Sequence, residues 1–583
     1  MLKLLKWLTA KNWAFAAVSV ALIVGQVALD LTMPDYMSKI TAIASTGSGT
    51  MSEIWKNGGI MLGCALGSLA CSLLTGFFVA NIAADFSARL RDGVYRKVQT
   101  FSSAEINKFS TSSLITRATN DVQQVQMFVA IGMQMLIKAP ITAIWAVTKI
   151  AGKQWQWSVA TACAVAFMLV GIGIVMLLVV KKFKRMQVLT DNLNEATREN
   201  LTGIRVIRAY NAEKYIQEKF QNVNEEFTNI NLFTGRVMAF LNPIMSTVMY
   251  GLSLAIYWIG AAIINKAGQL EAIGLYSDMV VFMSYGMQIV GAFMMLAMVF
   301  MFAPRAFVSS KRLNEVLETE CSIKDGAGVN ETDTRGTVEF KDVSFRYPDG
   351  GEDVLSHISF KVERGQTVAF IGSTGCGKST VVNLVPRFYD VTDGEVLVNG
   401  HDVREYKKEE LNKLISYVSQ RAVLFSGNII NNINFGDNDA DDEKVKEAVK
   451  ISQSTDFVEK QEGTYEGRVA QDGSNFSGGQ KQRLSIARAV ARGAEIFIFD
   501  DTFSALDYTT DRNLRAALKE EIKDATSLIV AQRIGTIMDA DQIIVLDDGK
   551  IVGQGKHEEL LKTCPTYLDI AKSQLKEEEL KNA

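Results

Sequence analysis

Six long apolar stretches, at about residues 13–33, 57–82, 133–152, 158–180, 238–265 and 277–303, fill the first half of this 583-residue chain. Each has roughly the 20 residues with which a helix, rising about 1.5 Å per residue, crosses a hydrocarbon core of about 30 Å. Six such lengths in series are hard to bury in a water-soluble core. The chain is therefore read as carrying six membrane-spanning helices. Lys3, Lys6 and Lys11 precede the first stretch. Arg89, Arg91, Arg96, Lys97, Lys108 and Arg117 lie between the second and third, and Lys181, Lys182, Lys184 and Arg185 follow the fourth. The bias of Lys and Arg toward the inner side places both termini and the two long connections, about 83–132 and 181–237, in the cytoplasm. Met1–Leu8 reads as a short interfacial helix before a retained span, because the apolar run after it is too long for a signal peptide.

The two long connections mix apolar and charged residues at three-to-four spacing, as in Asn192–Phe220. They are expected as helical stalks reaching roughly 35–40 Å beyond the membrane. Hydrophobic residues make up 48% and charged residues 21% of the chain, near a soluble average. The slightly positive mean hydropathy of +0.10 thus hides an apolar half joined to a polar one. A net charge of −3 argues against a broad nucleic-acid footprint. The six Cys form no CxxC pair, and the three His are His357, His401 and His557.

Composition changes near Glu320. Residues 1–320 form the membrane domain, the polar and Gly-rich Cys321–Gly336 a linker, and 337–583 a domain of alternating strands and helices, hence α/β. Gly372, Ser373, Thr374, Gly375, Cys376, Gly377, Lys378 and Ser379 match GxxxxGK[ST]. An apolar strand, Thr367–Ile371, precedes them and a helix starting at Thr380 follows, which is the setting a phosphate loop requires. Lys378 is expected on the β/γ-phosphates of ATP and Ser379 on Mg²⁺. Ile496–Phe499 is an apolar strand ending in Asp500, a second candidate Mg²⁺ partner. Phe476, Ser477, Gly478, Gly479 and Gln480 open a basic helical stretch, another turn suited to an anion.

This order of motifs resembles the ATP-binding cassette, and six spans before one cassette resemble a half-transporter of the ABC exporter family across essentially the whole chain. The resemblance implies an all-α membrane domain of six long helices fused to a P-loop α/β domain with a helical subdomain. It implies Tyr347 against the adenine of ATP, Gln420 in the Q-loop near Mg²⁺ and the attacking water, Thr380 behind the phosphate loop, and Asp507 in the D-loop. Ser112–Val122 and Glu199–Tyr215 resemble loops that dock on cassettes, with tips expected near Ser112–Arg117 and Ala209–Lys214.

Two catalytic positions depart from the family pattern. Asp501 stands where the family has the Glu that orients water. Gln532 stands where it has the switch His. Aspartate is one methylene shorter, and a misplacement near 1 Å can cost about 10²-fold in rate. Loss of a general base costs about 10²–10⁴-fold. The signature Phe476–Gln480 is intact. In this family each ATP lies between the phosphate loop of one cassette and the signature of the other. The resemblance therefore implies the degenerate half of a bacterial heterodimeric multidrug exporter in the inner membrane. The partner supplies Glu and His, and transport is by alternating access. The alternatives are a slow homodimer exporting lipid, peptide or metabolite, and an ATP-gated regulatory or channel subunit.

The sixth stretch carries Met283, Met287, Met294, Met295, Met298 and Met301 around Gln288, either a surface that adapts to varied ligands or ordinary packing. Trp145, Tyr250, Tyr257 and Trp258 are expected as an interfacial belt. Asp30, Lys138 and Asp278 are the charges within the spans, and none is assigned to cargo. With no strongly charged cavity signal, an amphiphilic small molecule is the expected cargo. Cys376, within the phosphate loop, is expected to block ATP when alkylated.

Overall fold

The computed structural model describes residues 1–46, 49–329, 334–436 and 442–575; within its helices the side chains of Leu2, Thr46, Lys184, Gln187, Gln269, Leu270, Phe300 and Met301 fall outside the description. Lys184 and Met301, and residues 330–333 of the stretch read as a linker, are therefore not considered further. The chain divides into two compact units, Met1–Gln99 with Ser112–Thr319, and Thr100–Thr111 with Glu320–Ala583.

In the first unit, six helices are long and apolar enough to cross a membrane. They are α1 (Ala10–Thr46), α2 (Met51–Gln99), α4 (Thr111–Ile150), α5 (Trp155–Thr202), the pair α7 (Glu213–Ala239) and α8 (Leu241–Ile264), and α9 (Gln269–Glu318). At 49 residues, α2 is about 73 Å long, more than twice a hydrocarbon core of about 30 Å. The apolar stretches are the middles of these helices, and the polar connections are their extensions. Leu69, Leu73 and Phe77 of α2 and Phe167, Val170 and Leu177 of α5 are exposed, as a face meeting lipid tails would be. Inside, Val27, Leu31, Trp157, Ile256, Phe282 and Tyr285 pack into one core. Trp145 packs against this core, whereas Tyr250 and Trp258 are about three-quarters exposed. Residues Leu2–Trp7 form a short 3₁₀ helix whose Trp7 ring lies where a Cβ on Gly93 would stand.

The charges within the spans are paired. Lys138 lies 3.7 Å from Asp30, whose other oxygen accepts from the Ser68 hydroxyl at 2.5 Å. Lys149 meets Asp35 at 2.6 Å, and Lys153 pairs with Asp278. Tyr285 donates to Asp35 at 2.7 Å. In lipid an unpaired charge is costly, and pairing is its usual remedy.

Two helix breaks shape the cytoplasmic ends. Ser102 caps α3 (Ser103–Phe109) through a capping box with Glu105, and Ser110, at φ 61°, turns the chain back into α4. The tip of the first connection is thus 103–109, and Ser112–Arg117, expected as the tip, lies in the returning helix. The reason is local: the Ser–x–x–Glu box starts a helix at 103, and the left-handed Ser110 ends it. The second connection breaks at Gly203, runs through α6 (Ile204–Ala209) and turns at Asn211, φ 50°, before α7.

In the second unit, β1 (Val338–Phe345), β2 (Leu355–Val362), β4 (Asp393–Val398) and β5 (His401–Asp402) make an antiparallel sheet in the order β2-β1-β4-β5. A six-stranded sheet runs β10-β9-β3-β8-β7-β6, from β3 (Thr367–Gly372), β6 (Ile415–Val418), β7 (Ile496–Asp500), β8 (Thr526–Val530), β9 (Gln542–Asp547) and β10 (Lys550–Gly555). All its pairings are parallel except the last hairpin, β9–β10. Every residue of β7 is buried, as a strand covered on both faces requires. A separate helical core gathers Val445, Val449, Phe476, Leu484 and Ile486. The stretch read as a linker is held down where described: Ile323 is 4% exposed, and the Gly326 and Gly328 amides bond the Tyr406 and Glu405 carbonyls. Residues 100–111 belong to this unit. The Ser322 amide donates to Glu105 at 3.1 Å, and Asn107 donates to the Tyr389 hydroxyl at 3.2 Å.

Candidate nucleotide site

β3 ends in the phosphate loop, and α10 (Lys378–Leu384) leaves it. The loop depends on glycine. A Cβ on Gly377, at φ 97°, would come within 2.6 Å of Leu355, and one on Gly372 within 2.0 Å of the Leu546 carbonyl. Lys378 is 8% exposed, and its ammonium donates back to the Gly372 and Ser373 carbonyls at 2.9 and 2.7 Å. A cation folded into a cradle of left-handed glycines, at the start of a helix, fits a phosphate chain. Thr374 and Gly375 complete the loop, Gly375 at φ 89°. Cys376 is only 3% exposed, with its sulfur 3.6 Å from the Lys378 ammonium. The thiol is thus closed to reagents in this state, against the expectation of ready alkylation.

Two adjacent acids end β7. Asp500 accepts from the Ser379 hydroxyl at 2.7 Å and from the Tyr417 hydroxyl at 3.2 Å. Burial pushes its carboxyl above the usual range and the neighbouring Asp501 adds to this, while Ser379, Tyr417 and Lys378 pull the other way. Ser379 and Asp500 are hard oxygen donors side by side, a set that suits Mg²⁺. Bound there, the cation would offset phosphate charge. Asp501 turns the backbone into the left-handed region, φ 47°, and is 7% exposed. One of its oxygens, Oδ2, accepts from Gln420 at 3.0 Å and from Gln532 at 2.7 Å. The Q-loop residue, the acid in the base position and the residue in the switch position thus meet at one atom.

Tyr347 sits beside Tyr389 with ring centroids 5.1 Å apart at 88°, and its hydroxyl lies 3.0 Å from that of Thr380. Sequence reading missed Tyr389, Tyr417 and Asn383. Tyr417 and Asn383 meet at 2.9 Å from 34 positions apart, a contact that no local pattern announces. Tyr417 stands three residues before Gln420, and that proximity was the available signal.

The signature forms the start of α11 (Gly478–Arg492). Ser477 caps it: its hydroxyl accepts from the Gln480 amide at 3.3 Å, and the Gln480 side chain accepts from the Ser477 amide at 2.9 Å. Phe476 packs edge-on to Phe457. Gly479 approaches the Ala505 carbonyl, 3.2 Å from where its Cβ would be. Asp507 caps α12 (Tyr508–Glu521) by accepting from the Thr510 amide at 3.0 Å, a bond that holds its carboxyl below the usual range. Among the described residues, no hydrogen bond joins Ser477–Gln480 to the phosphate loop of the same chain.

A family profile described as ABC transporter transmembrane region matches residues 16–303, and one described as ABC transporter matches 355–504. An uncharacterized ABC transporter ATP-binding protein of Mycobacterium tuberculosis is 37% identical over 531 residues, 90% of each chain. The uncharacterized ABC transporter ATP-binding protein YfiB of Bacillus subtilis is 33% identical over 96% of each. An ATP-dependent lipid A-core flippase of Pseudomonas aeruginosa is 30% identical over 84% of this chain and 80% of its own. A solved bacterial Atm1-family ABC exporter with ATP bound shares the fold at TM-score 0.79, covering 97% of this chain and 99% of its own at 22% identity.

Proposed function

The chain belongs to the ABC transporter family as an exporter half-transporter, six membrane helices fused to one ATP-binding cassette; from that premise we propose that it is the weakly hydrolytic half of a heterodimeric exporter of amphiphilic small molecules. It is a multi-pass membrane protein whose cassette binds ATP and couples ATPase activity to transport. The site on Lys378, Asp500 and Asp501 holds ATP with Mg²⁺, through Ser379, Asp500 and Gln420, and turns it over slowly. Ser477–Gln480 complete the partner's site, where a Glu and a His do the chemistry. The bilayer is the bacterial inner membrane, with the N-terminus and the cassette in the cytoplasm.

The observation that carries this reading is the double amide on Asp501 Oδ2. A carboxylate oxygen that already accepts from Gln420 and Gln532 is a poor base for a water proton. Gln532 brings an amide where the family has an imidazole, so it offers no titratable group in its place. The exposed second tip, with Val206, Tyr210 and Tyr215 61–80% accessible, leaves apolar surface for a second half to cover. ATP drives alternating access through its unequal affinity for the open and closed states.

The test is Mg²⁺-dependent ATP turnover of the lipid-reconstituted chain, alone and with a candidate half carrying Glu and His. Turnover near background alone and restored by the partner supports the reading. Asp501→Glu with Gln532→His should raise turnover of the chain alone by about 10²-fold or more. Brisk turnover of the unaltered chain alone, lost in Asp501→Asn, makes Asp501 a competent base and favours a homodimer.

A further inference from the structure

The membrane half contains a cavity of about 330 Å³ between α5, the junction of α7 with α8, and α9. Five of its ten lining residues are methionines: Met176, Met238, Met245, Met294 and Met298. Only 22 of the 583 residues of the chain are Met, so the wall is heavily enriched. They arrive from three directions. Met176 comes from α5, Met238 from the last turn of α7, Met245 from α8, and Met294 and Met298 from one face of α9 at i, i+4. The helix break that opens the space is in the sequence. Pro243 has no N–H to give the Ala239 carbonyl, and the helix parts between Ala239 and Leu241.

The wall holds no ionisable side chain. Its one hydrogen-bonding side chain is Asn242, whose amide has no hydrogen-bond partner among the described residues. Acids elsewhere in the spans do not supply a counter-charge, because Asp30, Asp35 and Asp278 are each taken by a lysine. A cation entering this cavity would lose water and gain no partner, which is expensive. Thioethers, in contrast, are polarizable, contact aromatic rings favourably and repack around different outlines.

We propose that this cavity is a binding site for uncharged, flat aromatic molecules with one hydrogen-bonding group, held by the methionines and anchored on Asn242. The proposal deepens, and rests on, the reading of the chain as an exporter of amphiphiles. It narrows the cargo to neutral aromatic compounds over organic cations.

The test uses the full chain in nanodiscs, with and without the second half, and two photoprobes of one shape. One is neutral, 4-methylbenzophenone; the other is cationic, (4-benzoylbenzyl)trimethylammonium. Labelled residues are mapped by mass spectrometry across a concentration series. The neutral probe is expected to label Met176, Met238, Met245, Met294 or Met298 saturably, and the cation roughly 10-fold less, as burial of an unpaired charge demands. Asn242→Leu, which keeps every methionine, should weaken saturable labelling by roughly 5-fold, the scale of one hydrogen bond. Met238→Leu with Met294→Leu should weaken it as well. Membrane insertion and ATP binding of each variant, checked in parallel, confirm that it is folded. Equal labelling by the two probes overturns the proposal. So does labelling spread without saturation over all intramembrane methionines. Labelling abolished by the second half means that the partner covers this face, and preferential saturation by a fatty-acyl photoprobe means a lipid-tail seat; either result also overturns it. None of these readouts needs ATP turnover, so a failure of the heterodimer reading is scored separately.

Discussion

Asp501 shows how a single side chain can retain a position and lose its task. Its carboxylate is where an attacking water needs a base, but both neighbouring amides point at the same oxygen. The residue types were legible in the sequence because the motifs around them are local. Their convergence was not, since Gln420 and Asp501 are 81 positions apart and meet only when β6 and β7 pair. The phosphate loop lay at the other extreme: eight consecutive residues carried almost the whole of it. A buried histidine away from the site gives a pH test. His557 is 6% exposed, its Nδ1 lies 2.6 Å from the Tyr567 hydroxyl, and burial lowers its pKa below 6.5. The unfolded chain then binds a proton more readily than the folded one. Stability is full above pH 6.5 and falls as pH drops below it toward the lower folded value. Hydrogen-exchange protection of α13 (His557–Thr563) and α14 (Pro565–Gln574), corrected for intrinsic rates, should therefore decline from pH 7 to pH 5. His557→Gln should flatten that decline.

At the scale of elements, α11 combines two duties at one residue. Ser477 caps the helix and is also assigned to the partner's ATP. Ser477→Ala should cost about 1 kcal/mol of helix stability, and Ser477→Asn, a good cap, should restore most of it. If turnover of the two-chain complex falls in both, the hydroxyl serves the nucleotide; if Asn rescues turnover, Ser477 is only a cap. The intramembrane pairs give a second test. Asp30 and Lys138 are each about a quarter exposed. Lys138→Leu should lower stability in nanodiscs by roughly 1–3 kcal/mol, discounted from the fully buried case, and adding Asp30→Asn should recover most of the loss. An unchanged melting temperature in Lys138→Leu contradicts the pairing. The helices were legible from apolar length, but the pairing of Asp30 with Lys138 was not, because nothing in the sequence sets the rotation of one span against another. The first cytoplasmic tip was misplaced because the family likeness of Ser112–Val122 outweighed the Ser102–Glu105 capping box beside it.

At the scale of the molecule, six spans and one cassette make half of a transporter. Native mass measurement of the complex purified on a tag carried by this chain should give roughly twice 64.2 kDa, with one copy of a second half. Two differently tagged copies of this chain should not co-purify, and their doing so would favour the homodimer. The broad architecture was legible because apolar length and the phosphate loop are both local signals. The composition of the second unit was not, because it borrows residues 100–111 from far upstream.

That borrowed segment sets a clock on synthesis. Asn107 and its partner Tyr389 are 282 residues apart. At about 5–20 residues per second, the ribosome makes the first roughly 14–56 s before the second. During that interval Glu105 has been made and its acceptor site on Ser322 has not, so α3 waits in water beside a membrane half that is still being inserted. A message cut short after α9 would leave all six spans in the bilayer and the waiting segment permanently unanswered, a visible mark of an unfinished chain.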